Sequence, residues 1–200
     1  MKRILFFSAF LLAGLLAEAQ VQLESLHVPV RENGRNQKLA WAGGLQAAQL
    51  SPIDLNFDGT PDLLAFDRFD NSVLPFLNSG QASDTAYTFA PEYAAFFPKD
   101  LQEWVLLYDY NCDGLADIFT AGRFDQVRVY KNTSAGGQLS FQLAKNPLRA
   151  TNGPISIPSS DIPAFADVDN DGDLDLVAFT TNSDFVTWFK NMRVENNTTC

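Results

Sequence analysis

One nine-residue pattern, written three times, constrains this chain more than any other feature. Asp54-Leu55-Asn56-Phe57-Asp58-Gly59-Thr60-Pro61-Asp62, Asp109-Tyr110-Asn111-Cys112-Asp113-Gly114-Leu115-Ala116-Asp117 and Asp167-Val168-Asp169-Asn170-Asp171-Gly172-Asp173-Leu174-Asp175 all read D-x-[DN]-x-D-G-x-x-D. The copies start 55 and then 58 residues apart. Their likeness runs on past the ninth position. An apolar pair follows each (Leu63-Leu64, Ile118-Phe119, Leu176-Val177), and further on an aromatic stands two places before an Asn: Phe76 and Asn78, Tyr130 and Asn132, Phe189 and Asn191. Similarity that keeps register this far marks a repeated structural unit.

Each unit reads as short strands. Apolar runs precede the second and third loops at 104–107 and 162–165, and a weaker one precedes the first at 50–53. Strands are expected after the loops at 63–69, 118–124 and 176–180, then at 73–77, 127–131 and 185–190, with a fourth at 87–90 and 139–143. Short runs rich in Val, Phe, Leu and Tyr, broken by Gly, Asn, Ser and Asp, favour strands. No window holds a 3.6-residue apolar period. Four antiparallel strands in each unit of about 55 residues make a propeller blade. The expected fold is therefore all-β, with a lead-in at 20–44 and blades at 45–98, 99–155 and 156–200, the third incomplete.

The first residues are set apart. Lys2 and Arg3 precede an apolar run over 4–16, and Ala17-Glu18-Ala19 places small residues where a signal peptidase reads. This is the layout of a secretory signal peptide, expected over 1–19. The apolar run is shorter than the roughly 20 residues that cross a bilayer; a membrane anchor is the competing reading. Export to the cell surface or the medium is expected.

A formal charge of −10 argues against nucleic acid as a partner, since phosphate binding needs Lys and Arg. Hydrophobic residues at 46% supply a packed interior and oppose disorder. Two cysteines, Cys112 and Cys200, make no disulfide framework, and a bond between them stays open.

The loops themselves point to a metal. Alternate residues in a curled loop turn their oxygens inward, and Gly at position 6 permits the sharp bend. Calcium takes six to eight such oxygens. The expected ligands are Asp54, Asn56, Asp58 and Asp62; Asp109, Asn111, Asp113 and Asp117; and Asp167, Asp169, Asp171 and Asp175. Position 7 (Thr60, Leu115, Asp173) offers a backbone carbonyl. No His or Cys stands at a ligand position, which disfavours zinc and copper. Cys112 falls between ligand positions and reads as incidental. An EF-hand needs Glu at position 12 on a helix; Ala65, Thr120 and Ala178 stand there instead. Up to three calcium ions are expected, one per loop.

The unit resembles the FG-GAP or VCBS repeat, known from the integrin α-subunit propeller and from bacterial surface proteins. The resemblance covers about residues 45–195. It implies calcium held in a loop between neighbouring strands of a blade, and a propeller of about seven blades, of which this chain would supply three. A fragment of a longer protein is the expectation. The stretch Trp41-Ala42-Gly43-Gly44-Leu45-Gln46 is also similar to propeller starts in exported proteins of gliding-type bacteria.

No catalytic constellation is legible. His27, the one histidine, has no nucleophile motif beside it. Arg68 and Arg123, both 14 residues after their loops start, read as braces between strands. Trp41, Trp104 and Trp188 read as buried aromatics. Asn132-Thr133-Ser134 and Asn197-Thr198-Thr199 match the glycosylation sequon. Two functions remain: a calcium-binding module for adhesion to a protein or polysaccharide, or the propeller part of a polysaccharide-degrading enzyme.

Overall fold

The computed structural model describes residues 28–83, 86–109, 111–181 and 184–198; the expected signal peptide, His27, Thr199 and Cys200 lie outside them. A short hairpin, β1 (Arg31–Glu32) with β2 (Arg35–Asn36), falls in the lead-in. The first sheet holds β3 (Ala48–Ile53), β4 (Asp62–Asp67), β5 (Ser72–Asn78) and β6 (Tyr87–Phe89), antiparallel and in chain order. A 3-10 turn over Pro91–Phe96 leads to the second. There β7 (Val105–Tyr108), β8 (Asp117–Ala121), β9 (Val127–Asn132) and β10 (Phe141–Lys145) repeat the same order. A small hairpin, β11 (Arg149–Ala150) with β12 (Gly153–Pro154), follows. The third sheet is β13 (Ala164–Ala166), β14 (Asp175–Phe179) and β15 (Val186–Phe189).

The protein is all-β, built from antiparallel sheets. The third sheet, expected to be incomplete, has three strands among the described residues. Expectation and structure differ in two places. The run before the first loop, weak as a sequence signal, forms the longest of the three pre-loop strands, because β3 pairs with β4 along its whole length from Ala48–Asp67 to Ile53–Asp62. The strands after the loops stop earlier than the apolar runs do: β4 ends at Asp67 and β8 at Ala121, leaving Phe69 and Phe124 in turns at 74% and 72% exposure.

The second sheet is packed on both faces. All five residues of β8 are buried, with Ile118 in a core shared with the first sheet and Phe119 and Ala121 in a core shared with the third. The first core gathers Leu64, Phe66, Val105, Leu107 and Tyr130. The second gathers Trp104, Val127, Val129, Ile157 and Leu176. Period-two alternation puts successive side chains on opposite faces, so a strand between two cores is buried on both, and its polar members, Asp117 and Thr120, are hydrogen-bonded. Each large side chain buried this way is worth about 1.5–3 kcal/mol. On the far side of the third sheet, Phe179, Val186 and Trp188 are exposed.

Trp104 is fully buried as expected, but Trp41 and Trp188 are not; Trp41 instead donates its ring N–H to the Val28 carbonyl at 2.8 Å. Polar ties join the sheets. The Gln49 side-chain oxygen accepts from Val105 N (2.9 Å), and Asn71 Oδ1 accepts from Glu103 N (2.8 Å). Arg68 is the brace the sequence suggested, donating to the carbonyls of Glu103 (2.5 Å) and Ser159 (2.8 Å). Arg123 does not share that role; its guanidinium lies 4.6 Å from the centre of the Phe124 ring. Arg128, unremarked in sequence, pairs with Asp100 and donates to the Ala121 carbonyl at 3.0 Å. The Tyr130 hydroxyl also donates to Asp100, at 2.6 Å. Burial, with that bond to Asp100, pushes the Tyr130 hydroxyl up to about 12.

Candidate metal centres

The three acidic loops occupy one place in the architecture, between the first and second strands of each sheet. They also share one backbone. Position 1 turns both carboxylate oxygens onto the loop's own amides: Asp54 accepts from Asp58 N (3.2 Å) and Gly59 N (2.9 Å). Asp109 does the same with Asp113 N (3.1 Å) and Gly114 N (2.8 Å), and Asp167 with Asp171 N and Gly172 N, both 3.1 Å. Position 5 accepts from the amide of position 7 in every copy, at 2.7, 3.0 and 3.1 Å. Gly59, Gly114 and Gly172 take φ of +80°, +83° and +94°, a region where a Cβ is strained, which explains the glycine at position 6. Position 4 is also left-handed, at Phe57, Cys112 and Asn170 (φ 62°, 56° and 60°), and only Asn170 is a residue type that favours it. Cys112, read as incidental, is disulfide-bonded.

Position 9 behaves differently from the rest. Asp62, Asp117 and Asp175 are buried at 2%, 0% and 0% exposure, and each is bonded to the third strand. Asp62 Oδ1 accepts from Asn78 N (2.7 Å), Asp117 Oδ1 from Asn132 N (2.6 Å) and Asp175 Oδ1 from Asn191 N (2.7 Å). The second oxygen of Asp62 takes Leu55 N (2.9 Å), and that of Asp175 takes Val168 N (3.2 Å). The Asn completes a clip by donating back to position 8: Asn78 to the Pro61 carbonyl (2.9 Å), Asn132 to Ala116 (3.0 Å) and Asn191 to Leu174 (3.3 Å). This is the meaning of the aromatic-x-Asn repeat. The aromatic packs and the Asn fastens the loop to the sheet. Asn132, the first residue of one glycosylation sequon, is buried with its side-chain amide engaged in this clip.

In the third loop, oxygens of Asp167, Asp169 and Asp171 lie within 4.8 Å of one another. Asp169 Oδ1 is buried with no hydrogen-bond partner, and Asp171 Oδ2, also buried, has the Lys190 ammonium 3.4 Å away. Carboxylate oxygens turned together suit a hard cation, and the donor set, all oxygen, suits calcium. The residues fit such an ion: Asp167, Asp169 and Asp171 would hold it, and it would supply positive charge with no demand for fixed geometry. Asp175 stands outside this converging group, its oxygens taken up by amides.

Side-chain cations lean on the loops unequally. Lys190 pairs with Asp169 and Glu195 and lies 3.4 Å from Asp171. Its bonds to Asp169 first, then to Glu195, raise the ammonium above its ordinary value. The residue at the same place in the second unit, Lys131, lies 3.2 Å from Asp113. In the first unit that place is Leu77. The Thr60 amide, with Asn56, holds the Asp58 carboxyl below the usual range. Burial raises Asp62 against the pull of the Asn78 and Leu55 amides, with the charges of Asp58 and Asp54 adding to it.

Loop, clip and strand therefore recur as one object. Residues 109–178 match the family model of the FG-GAP-like repeat. No curated protein and no solved structure matches the chain. The segment matched to the FG-GAP-like repeat opens on position 1 of the second loop and ends in β14, so it takes in β8, β9 and β10 and the whole third loop. Two side chains at the third loop are ones that a reading of ligand positions passes over. Asp173, noted only for its carbonyl, has its side chain wholly buried, and Glu195 returns to the loop from beyond β15. An acid at position 7 of one copy alone was the available signal.

Between the second and third loops lies a cleft of about 210 Å³ lined by Tyr108, Asp109, Phe119, Phe165, Asp173 and Arg193. Phe165 packs at a tilt against both Tyr108 and Phe119, with ring centres 4.7 and 4.5 Å away.

Proposed function

We propose that the chain is an exported, calcium-stabilised interaction module whose three sheets are consecutive blades of a β-propeller, serving adhesion to a protein or a polysaccharide at the cell surface. The observation that carries the reading is the convergence of Asp167, Asp169 and Asp171 in a loop whose hydrogen bonding recurs in the other two copies. Support for the blades comes from a second sheet buried on both faces and from β3 lying close to β7, first strand beside first strand. Each ion would cancel repulsion among carboxylates that otherwise crowd one another, so binding would be coupled to stability.

The test is thermal unfolding of the full chain in millimolar calcium and in chelator. Calcium is expected to raise Tm by several degrees, and Asp58→Ala or Asp171→Ala to remove part of that rise. Equal melting in the two conditions would sink the reading. A panel of acidic glycans separates the module from the alternative of a polysaccharide-degrading enzyme: binding without product supports the module, and product formation supports the enzyme.

A further inference from the structure

The third unit differs from the other two in the amount of acid it carries. Position 7 is Thr60 in the first loop and Leu115 in the second, but Asp173 in the third. That carboxylate is 3% exposed, and its Oδ1 has no hydrogen-bond partner; Oδ2 accepts from Val194 N at 3.3 Å and lies 3.7 Å from Arg193 Nε. Oxygens of Asp171, Asp173 and Glu195 lie within 4.8 Å of one another, a second group that shares only Asp171 with the loop group. A buried carboxylate oxygen with nothing bonded to it is costly. A cation bound at the group would remove that cost.

We propose that Asp171, Asp173 and Glu195 form a second divalent-cation site in the third repeat, one that takes a hard, oxygen-loving ion of the calcium type beside the ion of the loop. Two further observations support it. Lys190, in contact with Asp169, Asp171 and Glu195, already draws one positive charge into the gap between the two groups. It does not satisfy Asp173 Oδ1. The charge also tallies. Asp167, Asp169, Asp171, Asp173, Asp175 and Glu195 are six carboxylates, and Lys190 and Arg193 are two cations, which leaves four negative charges, the charge of two calcium ions. The second loop, with three carboxylates and Lys131, leaves two, the charge of one, and the first, with three carboxylates and Leu77 in the place of the cation, leaves three. An acid at position 7 and another returning after the third strand are what turn a one-ion loop into a two-ion cluster. Through the shared ligand Asp171 the inference rests on the calcium reading of the loop; in Asp173 and Glu195 it goes beyond it.

The experiment is calcium binding to the full chain by equilibrium dialysis, for the wild type and for Glu195→Gln, Asp173→Asn and Asp54→Asn. Glu195 is exposed in a turn, so Glu195→Gln is expected to keep the wild-type far-UV circular dichroism. The expected result is one calcium equivalent lost, or weakened by about tenfold or more, in Glu195→Gln and in Asp173→Asn. An unchanged binding curve for folded Glu195→Gln overturns the second site. The loop reading is scored separately by Asp54→Asn, in the first sheet and away from the cleft that holds Asp173: loss of an equivalent there supports it, and no loss there removes it while leaving the Glu195 comparison intact.

Discussion

The first and third acidic loops share the bonds made by positions 1, 5 and 9 and the same left-handed glycine, yet their charge is answered differently. In the first, Asp54 and Asp58 face the loop's own amides, Asn56 and Thr60, and the place of a counter-cation is filled by Leu77. In the third, Lys190 and Arg193 lean on a cluster with more acid than either can balance. The shared part is architecture and the variable part is electrostatics. A repeat can therefore keep its shape while its appetite for ions is retuned from outside the loop, by the residue before the clip Asn.

The largest effect should come from breaking what the two loops share. Asp62→Ala and Asp175→Ala each take the partner from the part-buried amide of Asn78 or Asn191, at a cost of about 1–3 kcal/mol. Urea unfolding should show that loss with chelator present as well as with calcium. If the cost vanished in chelator, the clip would have no role of its own apart from an ion.

Exchanging the counter-cation comes next. Lys190→Met should lower stability in chelator and tighten calcium at the third loop severalfold, while Leu77→Lys should weaken calcium at the first; calcium titrations of the two variants should move in opposite directions. Movement in the same direction would break the comparison.

The smallest effect lies outside both loops and calibrates them. Burial works against ionising Asp100, but Tyr130 and Arg128 outweigh it and hold its carboxyl below the usual range. A carboxyl with a depressed folded value adds stability that is present above its unfolded value, about 3.9, and is lost as pH falls through the folded one. Asp100→Asn should therefore flatten the acid limb of the stability curve below about pH 4. The change should be a fraction of a kcal/mol, because the side chain is more than half exposed and solvent screens it.

The loops were legible because their chemistry is local. Alternate oxygens and a glycine at position 6 specify a turn within nine residues, and Gly59, Gly114 and Gly172 are left-handed as that reading requires. Asn78, Asn132 and Asn191 were visible as a repeat, but their purpose was not, since the bond each makes reaches back 16 or 17 residues. The extent of β3 was obscured because Gln49, Ser51 and Pro52 break its apolar run, and cross-strand pairing with β4 settles it. Trp188 and Trp104 look alike in sequence; one faces a neighbouring sheet and the other faces outward, a difference that arises only when sheets pack. Asp173 was misjudged for a similar reason. Its carboxylate is enclosed by Val194 and Arg193, which arrive from beyond the third strand.

Nearly every bond described above joins residues close in the chain, so each sheet can assemble from its own stretch of polypeptide without waiting for the next. Gln49 already reaches 56 residues to Val105 in the neighbouring sheet, and Arg68 spans further still. It reaches 91 residues forward to Ser159, past a whole intervening sheet. A clasp of that span can close only after the stretch that carries Ser159 has taken shape, so it belongs to the final stage of assembly and to the register between sheets, and the folding of any one sheet does not depend on it.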